Sequence, residues 1–288
     1  MELQQLRYVL AVAETRSFTR AAERCFVVQS ALSHQVKALE RELGVDLFAR
    51  TSRRVEVTAA GEAFLPAARA ALDAVERAAA EAASAAGEVR GTLRIGLIPT
   101  VTALDVPALV GRLRDEHPAV RVTMRGGGSD ELVAAIRSGE LDLAVLGLSD
   151  TRSPVGVASR ELAREPLVAV LPAGHRLARR RRLGLAELAD ETFADFGAGT
   201  PGRAQSDIAF AAAGVAREVA FESIGPELLL GLVAEGLAVT LLPAAVVPDD
   251  ARTVVVPVVD GPVRVEHLAW SDFNPGPATL AFLDLLDA

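Results

Sequence analysis

Several residue types are scarce in this chain of 288 residues: one cysteine, one tryptophan, one tyrosine, two methionines and four histidines. The single cysteine, Cys25, excludes an intramolecular disulfide framework and a cysteine-based zinc site. His34, His117, His175 and His267 lie far apart, and none has metal-ligand spacing. The apolar runs are broken by charges, Gly or Pro before about 18 residues, so no membrane span is expected. The start, MELQQLR, has no basic region followed by an apolar stretch, so no signal peptide is expected and a soluble, cytoplasmic protein follows. There is no nucleophile elbow, no metal-ligand cluster and no histidine beside a candidate nucleophile, which points away from an enzyme. Lys37 is the only lysine, a compositional bias that carries no function.

Half of the chain is hydrophobic, enough for a sizeable core and two or three domains. The net charge of -8 argues against nucleic acid as a partner of the whole surface. The charge is uneven, however. Residues 1–57 hold nine Lys+Arg against seven Asp+Glu, and the remainder twenty-one against thirty-one. A mildly basic head on an acidic body suggests nucleic-acid contact through one end.

That head has helical periodicity. Leu3, Leu6, Leu10 and Ala13 predict a helix over 2–14. Ser17 or Thr19 can cap a second helix near 19–26, with Phe18, Cys25 and Phe26 read as core. Leu32, Val36, Leu39 and Leu43 stripe a third helix, 29–43, whose opposite side carries Gln29, Ser30, Ser33, His34 and Lys37. Gly44 suits its end. Leu47 and Phe48 then anchor a basic tip, Arg50 to Arg54, before Val55, Glu56 and Val57 alternate like a strand. A helix pair followed by a two-stranded basic loop is a winged helix-turn-helix.

Residues 58–86 are Ala-rich, with Thr58 as a cap. Leu65, Leu72, Ala79 and Ala86 recur every seven residues, with Ala68, Val75 and Ala82 between them, as in a coiled-coil seam of small side chains. Pro66 lies early in this helix, where it can bend it slightly. From Gly91 strands and helices alternate: strands at 92–98, 120–124 and 141–148, helices near 103–116 and 130–138. Further strands at 166–172, 192–196, 217–223, 238–243, 252–259 and 264–271 and a helix at 277–287 follow, which predicts α/β architecture with a parallel sheet.

The stretches LRYVLAVAET, SFTRAAE, QSALSHQVKALERELGVDLFAR and VTAAGEAF resemble the LysR-type transcriptional regulators over residues 2–64. The chain departs from the family pattern at Cys25, Val28, Ser30 and His34, where Leu, Ser, Pro and Arg are common. The resemblance implies a winged helix-turn-helix over 1–58 and a linker helix over 59–90 that pairs with a second subunit. It also implies a two-lobed, periplasmic-binding-protein-like effector module over 91–288, with lobe I at 91–160 and 267–288 and lobe II at 161–266. The implied partners are double-stranded DNA, a homodimer or homotetramer built through 59–90, a small-molecule effector and RNA polymerase, with no membrane and no cofactor.

In the recognition helix, Gln29, Ser30, Ser33, His34 and Lys37 are the candidates for base and phosphate contact, although the same face would suit an ordinary solvated helix. Arg50, Arg53 and Arg54 are the wing candidates for the backbone or a narrow minor groove, or for bracing the wing against an acid. Ligands of open α/β folds sit at the carboxyl ends of strands. Those ends supply Thr100, Thr102, Ser129 and Gly147 in lobe I and Phe196, Gly197 and Ser223 in lobe II, each equally readable as a turn or cap residue. Hydroxyls and helix-start N–H groups there suggest an organic anion as effector. The expected function is a ligand-responsive bacterial regulator reading a pseudo-palindromic site. The rivals are a binding or transport protein using the two-lobed module alone, and an enzyme on an α/β scaffold.

Overall fold

The computed structural model describes residues 1–50, 55–273 and 275–287, with Arg50 described by its backbone alone. The chain divides into two compact units. One is Met1–Gly91 with Ser138–Glu140, the other Thr92–Arg137 with Leu141–Ala288.

In the first unit, α1 (Leu3–Thr15) is followed by α2 (Phe18–Arg24), and Ser17 is the residue that caps α2, accepting the N–H of Arg20. The third helix, α3 (Gln29–Leu43), ends at Gly44 with φ +72°, a left-handed conformation that glycine adopts without strain. Strands β1 (Phe48–Arg50) and β2 (Val55–Val57) pair antiparallel as the two sides of the wing. Val9, Val12, Phe18, Leu32, Val36, Leu39 and Leu47 form the core, and the Phe18 and Phe48 rings meet edge-on at 6.0 Å.

The expectation that Phe26 belongs to this core is wrong. It is 95% exposed, with φ +54°. The end of α2 explains why. The N–H of Phe26 bonds the Glu23 carbonyl, and that of Val27 bonds the Ala22 carbonyl. This pair is a Schellman ending, which places Phe26 at the left-handed position normally held by glycine. Val27 is then turned inward against the core and Phe26 outward.

Thr58 caps α4 (Ala59–Ala85) by accepting the N–H of Gly61, and its own hydroxyl donates to the Asp46 carbonyl. Only the start of the seven-residue stripe, Leu65 and Ala68, is buried in the head. Val75, Ala79, Ala82 and Ala86 of that stripe are exposed in the single chain.

The second unit continues from β3 (Gly91–Leu97) through α5 (Val106–Glu116), β4 (Val120–Gly126), α6 (Ser129–Arg137), β5 (Leu143–Ser149) and β6 (Ala158–Pro172). Then come β7 (Thr192–Phe196), α7 (Pro201–Ala212), β8 (Glu218–Ser223), α8 (Pro226–Ala234), β9 (Thr240–Pro243), β10 (Thr253–Pro257), β11 (Val263–Trp270) and α9 (Pro277–Asp284). The sheet order is β10-β6-β11-β5-β3-β4, with β9 also on β6 and a separate pair β7-β8.

The expected parallel sheet holds for β3 with β5 and for β7 with β8. It fails for β11, which runs antiparallel to both β5 and β6, and for β9 and β10 on β6. The reason lies in β6, a 15-residue strand that belongs to both halves of the unit. Its first part pairs with β11 and its last part with β9 and β10. After the intervening elements, β10 and then β11 run back along β6 in consecutive registers, from Thr253 opposite Pro172 to Trp270 opposite Ala158, so both lie antiparallel to it. No described helix is long and apolar enough to cross a membrane.

Candidate functional sites: a recognition helix and an effector cleft

In the head, α3 buries Leu32, Val36 and Leu39 and turns Gln29, Ser30, His34 and Lys37 to solvent, with Ser33 half-buried between them. Val28 precedes the helix without a side-chain cap. The recognition face is therefore held by the stripe behind it. Glu40, on the buried side, accepts the N–H groups of Leu47 and Phe48 and so ties the helix to the wing. Arg50 begins the wing tip. Its side chain, Arg53 and Arg54 lie outside the described residues.

In the second unit, a cleft of about 1060 Å³ opens between the two halves. Thr100, Ser129, Gly147, Phe196, Gly197 and Ser223 all line it. Thr102 does not. It faces a neighbouring hollow of about 500 Å³ that shares Pro99 and Thr100 with the cleft. Gly147 lies within β5 rather than after it, opposite Glu266 of β11. A Cβ at Gly147 would sit 2.8 Å from Ile98 Cδ1, so a larger residue there would push the end of the Ile98 side chain aside.

The hydroxyls on this wall are engaged within the protein. Ser129 Oγ donates to the Gly147 carbonyl and accepts the Gly147 N–H, both at 3.0 Å, which pins the start of α6 to β5. Ser223 Oγ does the same with Gly225, at 3.0 and 3.2 Å. Thr100 Oγ1 accepts from Arg264 Nη1 at 2.7 Å.

Arg264, Glu266 and Glu165, which the sequence reading does not single out, form a charged cluster at one edge of the cleft. Arg264 is 2% exposed and Glu266 0%. Arg264 Nη1 donates to the Thr100 carbonyl at 2.6 Å, and Nη2 to Thr102 Oγ1 at 2.7 Å and to Glu266 at 2.5 Å. Nη2 also reaches Glu165. Glu266 accepts the N–H groups of Thr102 and Ala103 at 3.0 and 3.3 Å. Two opposite charges at positions i and i+2 of one strand share a face, and in RVEHLAWS that spacing is the signal that could have found them.

On the other side of the cleft, Arg217 stacks on the Phe193 and Phe210 rings at 5.1 and 4.9 Å and pairs with Asp195 at 2.7 Å. This packing holds β7, whose end presents Phe196. Burial pushes the Asp195 carboxyl above its usual range, against the opposing pull of Arg217.

Comparison with known proteins assigns both units. Residues 3–62 match the bacterial regulatory helix-turn-helix protein family, lysR type, and residues 86–288 match the LysR substrate binding domain. The regulator IlvR of Caulobacter vibrioides is 35% identical over 99% of this chain and 97% of its own length. The hydrogen peroxide-inducible genes activator of Escherichia coli O6:H1 is 35% identical over 88% of this chain and 82% of its own. The crystal structure of full-length CbnR with its target DNA superposes with a TM-score of 0.72 at 26% identity, covering 100% of this chain and 99% of that one. The chain belongs to the LysR family. It is a LysR-type transcriptional regulator, with a DNA-binding helix-turn-helix head and a ligand-responsive two-lobed domain.

Proposed function

We propose that α3 enters the major groove of a pseudo-palindromic promoter site, with Gln29, Ser30 and Ser33 meeting base edges and His34 and Lys37 meeting phosphates or guanine acceptors. Arg50, Arg53 and Arg54 follow the adjacent backbone or minor groove. The observation that carries the reading is the split of α3 into a buried leucine-valine stripe and an outward polar face at the helix start. Two such heads are joined through residues 59–90, where the small-residue stripe of α4 is left exposed in one chain. The site is read as dimer or tetramer in the cytoplasm, in concert with RNA polymerase and without enzymatic activity.

The signal is a small molecule held in the cleft, at the set Thr100, Ser129, Gly147, Phe196, Gly197 and Ser223, with Thr102 acting through the Arg264 cluster. One lobe arrangement is favoured when it is occupied. Hydrogen peroxide, which appears in the name of one relative, fits this chain poorly as a signal read through cysteine oxidation. Cys25 is its one cysteine, and burial pushes that thiol up, away from the reactive thiolate. The test is a gel shift of the full chain against DNA upstream of its own gene. Binding that weakens steeply with salt and falls with Lys37→Ala supports the reading; binding no stronger than to random DNA overturns it.

A further inference from the structure

The charge on the cleft wall bears on what the cleft accepts, given the effector reading above. Its lining is chiefly apolar, with Ile98, Phe196, Ile224, Leu228, Leu241 and Leu242. Among the described lining residues the one basic side chain is Arg264, which Glu165 and Glu266 already neutralise. The other charges there are acids: Asp130, Glu131 and Glu222. Their arginine partners, Arg152, Arg125 and Arg203, are not part of the lining.

The helix starts offer an anion little more. Asp130 and Glu131 occupy the first turn of α6, where a bound anion would otherwise complement the dipole. α7 and α8 both begin with proline, which removes one N–H from each first turn; Thr200 takes the Arg203 N–H of α7, and the first turn of α8 carries the carboxylate of Glu227. Placing a carboxylate in this cleft would strip its water without supplying a cation, which is strongly unfavourable.

We propose that the effector is an uncharged, mainly apolar molecule, in place of the organic anion that the strand-end hydroxyls suggest. The test titrates the full chain with two fluorescent probes of one skeleton, N-phenyl-1-naphthylamine and its sulfonated counterpart 8-anilino-1-naphthalenesulfonate. The neutral probe is expected to bind saturably with blue-shifted emission, about tenfold or more tighter than the sulfonate. Leu228→Asp, at an exposed lining position, is expected to weaken it by about tenfold. Equal or tighter binding of the sulfonate with the same Leu228 dependence overturns the proposal. So does an absence of saturable neutral-probe binding, or binding indifferent to Leu228→Asp. Operator binding measured on the same preparation separates the two readings, since its retention confines any failure to the effector class.

A separate observation concerns the head. Phe26 holds an exposed ring on a left-handed backbone that costs a non-glycine residue about 1–2 kcal/mol. It stands three residues before α3, beside exposed Val28, Gln29, Ser30 and Ala31. This exposed run leads along the chain into the recognition face of α3. The thymine C5-methyl group is the apolar feature of the major groove. The geometry points to Phe26 as an apolar contact for thymine methyl groups, resting on the DNA reading above.

Operators selected from random DNA would be resynthesised with uracil for thymine. The wild-type chain is expected to lose about fourfold in affinity for each methyl it buries. Phe26→Asn, which tolerates the same backbone conformation, is expected to bind thymine operator more weakly and to be indifferent to uracil. Wild-type affinity in Phe26→Asn, or undiminished sensitivity to uracil, overturns the assignment. Failure to select any operator counts against the DNA reading itself.

Discussion

One carboxylate oxygen of Glu40 accepts the backbone N–H groups of Leu47 and Phe48, at 2.9 and 3.1 Å, and all three residues are buried. The contact crosses seven residues of sequence and fixes the angle between the recognition helix and the first wing strand. Glu40→Ala leaves two buried donors without an acceptor, at about 1–3 kcal/mol each. Glu40→Gln keeps an oxygen in place and is expected to cost about 1 kcal/mol. Urea unfolding of the full chain, followed through the head's own transition, should rank the three proteins in that order. Equal stability of the alanine and glutamine variants would contradict it.

Gly61 carries a related constraint in the first turn of α4. Alanine in a helix is ordinarily better than glycine by about 1 kcal/mol. Here its Cβ would collide with the Leu47 carbonyl oxygen and lie 2.6 Å from Val57 Cγ1. Gly61→Ala is therefore expected to destabilise the head by about 1–3 kcal/mol. Adding Val57→Ala removes only the side-chain clash and should not restore stability. A thermal melt with the midpoint at or above wild type would refute this.

These two contacts mark where the sequence stops being informative. The helix 29–43 was legible because Leu32, Val36, Leu39 and Gly44 agree on it. Phe26 was misread because hydrophobicity argues for the core, while the backbone of the turn decides which of two adjacent apolar residues points inward. The first half of β6, ASRELAREP, has no apolar run, and its pairing with β11 is a long-range fact. The strand-end rule found the neighbourhood of the cleft. It could not say that Ser129 and Ser223 spend their hydroxyls on Gly147 and Gly225. Arg264 and Glu266 escaped because charged strand residues usually face water, and their burial together with Glu165 exists only once β11 lies beside β6.

The Arg264 cluster makes its own prediction. Removing the guanidinium in Arg264→Met leaves Glu266, fully buried, without its countercharge. Breaking one side of such a pair typically costs about 3–5 kcal/mol. Replacing both, in Arg264→Met with Glu266→Gln, removes the uncompensated charge and keeps an acceptor for the Thr102 N–H. The double variant should recover much of the loss in urea unfolding. If it is no more stable than Arg264→Met, the cluster is not held together by charge.

His267 adds a dependence on pH. It is buried on β11 at the register shift beside Glu266, opposite Glu161 of β6 and Leu146 of β5. Its Nε2 has no hydrogen-bond partner among the described residues. Burial pushes the imidazole below its usual value, with Glu161 opposing and Arg164 reinforcing. The folded chain therefore binds fewer protons here than the unfolded chain. Stability from this site is fully present above the ordinary histidine value, near pH 6.5, and declines as pH falls through the lowered one. The slope contributed by one site cannot exceed about 1.4 kcal/mol per pH unit. Urea unfolding of the wild type and His267→Gln between about pH 7.5 and 5, above most carboxylate titrations, should give a steeper loss for the wild type. Parallel curves would show that His267 keeps the same proton affinity in the folded and unfolded chains.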